Sequence, residues 1–260
     1  MSRVVTAEEV VQHFVRSREF RHRLDWWMDD PHRTAVVTAV MAHKSRVVTT
    51  ATLDDMNQVC RTTKHALGQL KKSETKKVTY IQDWTTAFAG AHVFHFITEH
   101  DGAVPTWQRF RKQCAAEPFR HMLWEPAQQA IDSCIKETGI SKERARDAMQ
   151  WRIGNMSYSF LREQWAHAYL RHRGVEILQH PLADALFGVD GWVDNTVISF
   201  FIGNRTFRSA SGGRKNPAAT YLGAAQPAFS YINIELPAAR KFGVVMLPTA
   251  EQLDRYVKRI

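Results

Sequence analysis

The chain is poor in cysteine: its 260 residues include three, Cys60, Cys114 and Cys134, widely spaced and without a CxxC pair. That odd, scattered set excludes a disulfide framework or a cysteine-based zinc site as the organiser of the fold, and it suits reduced thiols in a cytoplasmic setting. The three read as buried small hydrophobes. Long apolar runs are also lacking. No stretch approaches the roughly 18 uncharged apolar residues that cross a bilayer, so no membrane partner is expected. The N-terminal segment MSRVVTAEEVVQHF carries Glu8 and Glu9 in an amphipathic pattern, unlike the uninterrupted apolar region of a secretory leader. Absent too are a phosphate-binding loop, a dinucleotide glycine fingerprint, a GxSxG elbow and a kinase signature. Their absence disfavours NTPases, dehydrogenases and hydrolases of those types. No internal repeat or low-complexity tract is found.

What is present is enough apolar material for a core. Hydrophobic residues make up 44% of the chain, which at this length supports one large or two modest domains. Lys and Arg number 35 against 26 Asp and Glu, a formal charge of +9, and such an excess favours a polyanionic partner through phosphate neutralisation and counterion release. The excess falls on both sides of residue 155, so it is not a basic tail.

Helical signals dominate the first part. Thr6 with Glu9 forms a capping-box pattern ahead of Val10, Val11, Phe14 and Val15, and predicts a first helix to about Leu24. Thr52 with Asp55 repeats the signal ahead of a stripe from Met56 to Leu70, backed by Arg61, Lys64, Lys71 and Lys72 and ending in the basic segment 71–77. A third helix is expected over Thr85 to Ile97, and Thr106 caps the short helix WQRFRKQC. Helices near Ala127 to Glu137 and Lys142 to Trp151, joined through Thr138-Gly139-Ile140, form a candidate helix-turn-helix. Beyond Gly154 the texture changes to short apolar runs punctuated by Gly, Pro and Asn, which marks a boundary near residue 150.

The last third reads as a helix over Ser157 to Arg173, short strands over Val175 to Gln179, Leu186 to Val193 and Val197 to Ile202, a crossover through SASGGRKNPA, then strands over Phe229 to Leu236 and Phe242 to Leu247 and a terminal helix from Thr249. Glu163 lies on the first of these helices and Asp190, in GVDGW, on a strand. This order resembles the core of the PD-(D/E)XK nuclease superfamily, the fold of restriction enzymes and junction resolvases, over roughly the last hundred positions. The resemblance implies an α+β protein: a helical, nucleic-acid-binding region over 1–150, then a restriction-endonuclease-like α/β domain over 151–260 with a mixed sheet flanked by helices. It further implies that Glu163 and Asp190 are catalytic carboxylates and, in an active enzyme, ligands of Mg²⁺, which activates water and stabilises the transition state of phosphodiester cleavage.

The family's acid-x-Lys pair would fall near Phe201-Ile202-Gly203, which supplies neither group. Three accounts stay open. The lysine has moved, with Lys215 as the third catalytic candidate, Arg214 beside it and Glu235 as a second acid; or catalysis is lost and a binding surface retained; or the spacing arises by chance. Asp190 before Gly191 also suits an ordinary turn, and Glu163 a solvated helix position paired with Arg162 or His167.

Candidate phosphate contacts are Arg109, Arg111 and Lys112 on the first short helix, Lys142, Arg144 and Arg146 on the helix-turn-helix, and Arg214 in the crossover. The aromatic and basic mixture at residues 16–27 and 106–114 equally suits a buried aromatic face with cations reaching outward. Glu143 and Asp147 would oppose phosphates, so an ordinary helical hairpin is the preferred reading of the helix-turn-helix segment. His92, His95 and His100, with His121, share helical spacing but lack cysteine partners, and read as core or surface histidines in preference to zinc ligands. The expected function is DNA binding with phosphodiester cleavage as its extension. The alternatives are a non-catalytic interaction protein, with RNA or a protein, a second copy included, as partner.

Overall fold

A computed structural model describes residues 3–69, 74, 78–201 and 217–260. Helix accounts for 59% of the chain and strand for 11%, so the sheets are small additions to a helical body. The chain enters through β1 (Val5–Thr6) and α1 (Ala7–Phe14), continues through α2 (Arg18–Met28) and α3 (Thr34–Ala42), and returns in β2 (Lys44–Ser45), which pairs antiparallel with β1. Next come α4 (Val47–Thr50), α5 (Leu53–Thr62), α6 (Thr79–Gln82), α7 (Gly90–Asp101) and α8 (Trp107–Cys114). A π-helical turn, Arg120–Trp124, leads into α9 (Glu125–Thr138), and Gly139 at φ 66° turns the chain into α10 (Lys142–His172). Then follow α11 (Pro181–Phe187), β3 (Gly191–Val193), β4 (Thr196–Phe201), α12 (Ala218–Leu222), β5 (Ser230–Glu235), the hairpin of β6 (Arg240–Phe242) and β7 (Val245–Leu247), and α13 (Ala250–Val257).

The capping residues expected from sequence act as caps. Thr6 and Glu9, and Thr52 and Asp55, form reciprocal capping boxes, as do Thr249 and Gln252, while Thr106 and Ser141 accept the backbone N–H of Arg109 and Arg144. Each satisfies first-turn donors that have no partner within the helix. The helix expected to run from residue 7 to 24 is two, because Ser17 accepts the N–H of Phe20 and starts a second. α5 stops at Thr62, short of the expected stripe to Leu70. Most of the basic segment 71–77 lies outside the described residues.

α10 is the axle of the molecule. At 31 residues it is about 46 Å long, and it packs on α5, α6, α7, α9, α13 and β7. The expected boundary at 150/151 falls inside it. Gly154 and Asn155 look like a break, yet the helix continues: Asn155 Nδ2 donates back to Trp151 O at 2.7 Å, and Gly154 admits a neighbouring backbone. A Cβ there would lie 2.5 Å from Ala66 O and 2.8 Å from Ala66 C. The N-terminal end of α10 forms, with α9 and α6, a small core of Val78, Ile81, Ala127, Ala130, Ile131, Cys134, Ala145, Ala148 and Met149. Its remainder joins a larger core that extends in sequence from Val5 to Leu253.

The sheet differs from the expected meander. Segment 175–179 forms only an isolated bridge, Leu178 to Trp192, and residues 181–187 are helical. Pro181 stands in the first turn of that helix, the side chain of His180 accepts the N–H of Leu182, and Gly188 at φ 67° ends it. A short apolar run carries no period that separates a buried helix from a strand. β3 pairs antiparallel with β4, and β4 pairs parallel with β5, so the principal sheet is mixed. Its crossover spans residues 202–229 and includes α12. The three cysteines are free and buried, as expected.

The close approach at Gly154 is testable. Gly154→Ala should lower the unfolding free energy by about 1–3 kcal/mol, because the backbone of Ala66 must move, although alanine is normally better than glycine inside a helix by about 1 kcal/mol. Urea denaturation of the variant checks the sign.

Candidate functional site

Along α10 every residue from Phe160 to Leu170 is buried except Glu163, which is half-buried. A carboxylate within so covered a stretch needs solvent or a partner to offset its desolvation. Its neighbours are committed elsewhere: Arg162 Nε donates to Met246 O at 2.8 Å, and Gln164 exchanges paired amide hydrogen bonds with Gln179 at 2.8 and 2.9 Å, Gln179 also donating to Val48 O.

Asp190, half-buried, precedes β3. Its N–H donates to Ile198 O at 3.2 Å, and Oδ2 accepts the N–H of Phe200 at 2.7 Å, which ties the acid to the middle of β4. Contact with α10 runs through His167. The imidazole meets the Phe200 ring at a centroid distance of 4.8 Å, and a Cβ on Gly191 would lie 3.0 Å from His167 Nε2. Glu163 stands one turn before His167, on the same side of the helix. Both expected acids therefore flank one contact between α10 and the sheet. The parallel register of β4 and β5 sets Glu235 directly beside Phe201, near where the resemblance implies an acid. Lys215 and Arg214 lie outside the described residues.

Beside this contact lies a buried histidine cluster that no local motif announces. His43, before β2, faces His95 of α7 and His180 at the start of α11, with ring centroids 6.0 and 5.3 Å away. His92, one turn before His95, has Nε2 3.9 Å from Asp184 Oδ2. His180 Nδ1 accepts the N–H of Leu182 and its Nε2 meets His43 O at 3.1 Å, which fits the neutral Nε2–H tautomer. Burial, reinforced by the neighbouring imidazoles, pulls His43 down to about 2 and His180 to about 4. His95 is also held well below its ordinary value, by burial and then His92, His180 and His167, and His167 likewise, by burial and then Arg171. These are neutral core histidines, in line with the preferred reading of His92 and His95. His43, His167 and His180 carry no helical spacing that links them.

The basic candidates separate by environment. Arg109 makes a two-pronged bond to Asp101, at 2.7 and 3.0 Å, and Gln113 donates to the same carboxylate. That arrangement joins α8 to the end of α7. Lys112 and Lys142 are exposed. Arg144 is half-buried with its Nε enclosed and without a partner among the described residues. Arg111 and Arg146, on different helices, line one cavity between α8, α9 and α10. In the hairpin of α9 and α10, Ala145, Ala148 and Met149 face its own core, while Lys142, Glu143 and Arg146 are exposed.

Among the described residues, no group of three or more His, Cys, Asp or Glu is arranged to hold a metal ion, and no helix is long and apolar enough to cross a membrane. Magnesium binds through one or two carboxylates with water and substrate oxygens completing its shell, and Glu163 and Asp190 are the two carboxylates that the resemblance assigns to such an ion. In comparisons with known proteins the chain matches no family model, and neither a curated protein nor a solved structure is significantly similar to it.

The histidine cluster makes stability depend on pH with a definite sign. A lowered folded pKa means that the unfolded chain takes up protons first, near pH 6.5, so stability is full above that value and lost as pH falls. For His43, His95, His167 and His180 together the loss should be about 4 kcal/mol between pH 6.5 and 5.5. Urea melts at pH 7.5, 6.5 and 5.5 should show it, and His95→Gln should remove about a quarter of the slope. A flat profile would contradict the cluster's neutrality.

Proposed function

We propose that the chain is a DNA-binding protein whose C-terminal part is a divergent, metal-dependent phosphodiesterase related to the PD-(D/E)XK nucleases. The observation that carries this reading is the register of the mixed sheet: Asp190 is bound to Phe200 of β4, and β5 sets Glu235 beside Phe201. The acid that the resemblance places on β4 is thereby offered from the adjacent strand β5, with β4 lying between it and Asp190. The antiparallel pair β3–β4 with β5 parallel to β4 supports a mixed sheet after a helix, although α11 stands where the resemblance implies a further strand.

In this reading Glu163 and Asp190 would hold Mg²⁺, which when bound would supply Lewis acidity and an activated water. Asp190, fixed by the backbone of β4, orients; Glu163 adds the second carboxylate from α10; Glu235 supplies negative charge at the neighbouring position. The cationic partner in phosphate binding is assigned to the crossover, with Lys215 or Arg214 as the candidate. The surplus of positive charge supports a polyanionic substrate.

A second reading, a DNA-binding or scaffolding module without catalysis, is favoured by one observation: the bond from Phe200 N–H to Asp190 is a structural use of that carboxylate. One comparison separates the two. Asp190→Asn keeps an acceptor for Phe200 and should leave thermal stability nearly unchanged. The wild type should release metal-dependent products from duplex, branched or single-stranded DNA with Mg²⁺ or Mn²⁺, and the variant should cut at least about 100-fold more slowly. Equal cutting by both, or none by the wild type on any substrate, would reject the catalytic reading. Retained DNA binding would then favour the module.

The charges allow a further check. Arg109, tied to Asp101, should be silent in DNA binding, whereas Arg111→Ala should reduce the slope of log affinity against log salt by about one. Filter binding over a salt series measures both.

A further inference from the structure

Between α8, α9 and α10 lies a cavity of about 330 Å³, within the range of small-ligand sites, about 300–1,000 Å³. None of its lining residues belongs to the acid set, and it is unconnected with the reading of Asp190. Two of its walls are single helical stripes: Trp107, Phe110, Arg111 and Cys114 on α8, and Arg146, Met149, Gln150 and Ile153 on α10. Each stripe is apolar or neutral except for one arginine. Amphipathic logic would fill those positions with apolar residues if the space were only an imperfectly packed core.

The walls are flat and preformed. Phe110 stacks on Phe94 with centroids 3.6 Å apart and planes 8° from parallel, and Trp107 lies nearly parallel to Phe110 at 6.1 Å. Trp124 closes the third side from the end of the π-helical turn Arg120–Trp124. Such turns insert an extra residue that redirects side chains and recur at functional sites. Gln128 places an amide group on the lining, while the Gln150 Nε2 amide donates to Ala66 O at 3.3 Å and leaves its oxygen on the lining. Arg111 and Arg146 are exposed, and neither forms an ion pair among the described residues. Arg111 stands 5.8 Å from the centroid of Trp107. Flat aromatic walls suit the faces of a planar heterocycle, amides suit its polar edge, and two uncommitted guanidinium groups suit a phosphate.

We propose that this cavity is a nucleotide site: it takes one nucleobase between Trp107, Phe110 and Trp124 and holds the attached phosphate on Arg111 and Arg146. The unit is either a free nucleoside monophosphate or a single unstacked nucleotide of a DNA strand, which share this chemistry.

The test is calorimetric titration of the full chain with AMP, adenosine, ribose 5-phosphate, and a short single-stranded oligonucleotide alongside its duplex. The wild type should bind AMP, the single strand or both saturably, more tightly than adenosine or ribose 5-phosphate. AMP alone assigns the site to free nucleotides. The strand, preferred over the duplex, assigns it to an unstacked nucleotide. Arg111→Ala with Arg146→Ala should weaken binding tenfold or more, and Gln128→Trp, which fills the space from a half-buried position, should abolish it. Circular-dichroism melts establish that both variants fold. Asp190→Asn should bind as the wild type does, which keeps this site separate from the nuclease reading. Absence of saturable binding by AMP and strand alike, binding unaffected by both sets of substitutions, or equal binding of ribose 5-phosphate and AMP would each overturn the proposal.

Discussion

Burial of a polar helix is the constraint from which the rest of the structure follows. The middle of α10 is enclosed, yet carries Arg162, Glu163, Gln164 and His167. Enclosed polar groups cost several kcal/mol unless they find partners, and the partners come from far along the chain: Met246 for Arg162, Gln179 for Gln164, Asn57 for the indole of Trp165, and Ala51 for Arg171. Each bond fixes a remote segment against the axle. The β6–β7 hairpin, the start of α11, α5 and the turn before it are all positioned this way, with apolar contact supplying most of the free energy and the polar bonds choosing the arrangement.

The same constraint creates the candidate site. Because α10 meets the sheet through His167, against Gly191 and Phe200, one carboxylate stands a turn away from that contact on the helix and another immediately precedes β3. Gly191 is needed there: a side chain at that position would also meet Ile177 at 2.8 Å. The strand pairings then add Glu235. Neutral histidines beside that contact keep that part of the interior free of positive charge, while two basic groups that form no ion pair among the described residues, Arg111 and Arg146, line a separate aromatic cavity.

Much of the local structure was legible in the sequence, because capping is a short-range effect. Thr6, Thr52, Thr106, Ser141 and Thr249 each mark a helix start that the structure contains. Gly139 marks a turn. The strands over residues 196–201 and 230–235 were legible as apolar runs, and the alternation of exposed and buried residues in β5 reflects its one covered face. The continuity of α10 was not legible, since Gly154 reads as a break until the backbone of Ala66 is seen against it. Leu186 and Phe187, read as the start of a strand over 186–193, instead end a helix of seven residues, five of them buried, which has too few turns to reveal a period. Glu163 and Asp190 were singled out by their order along the chain, through the resemblance. The histidine cluster was not, because His43, His95, His167 and His180 meet only through tertiary packing. Arg109 and Arg111 look alike in sequence, and only Asp101 tells them apart.

Native-state hydrogen exchange along α10 tests the central claim most directly. If one enclosed helix holds the molecule together, the amides from Ala145 to Leu170 should exchange only through global unfolding, with a common free energy and denaturant dependence across residues 150 and 151. Two separate classes of protection, with a break near Gly154 and the first class opening while the second stays closed, would contradict it.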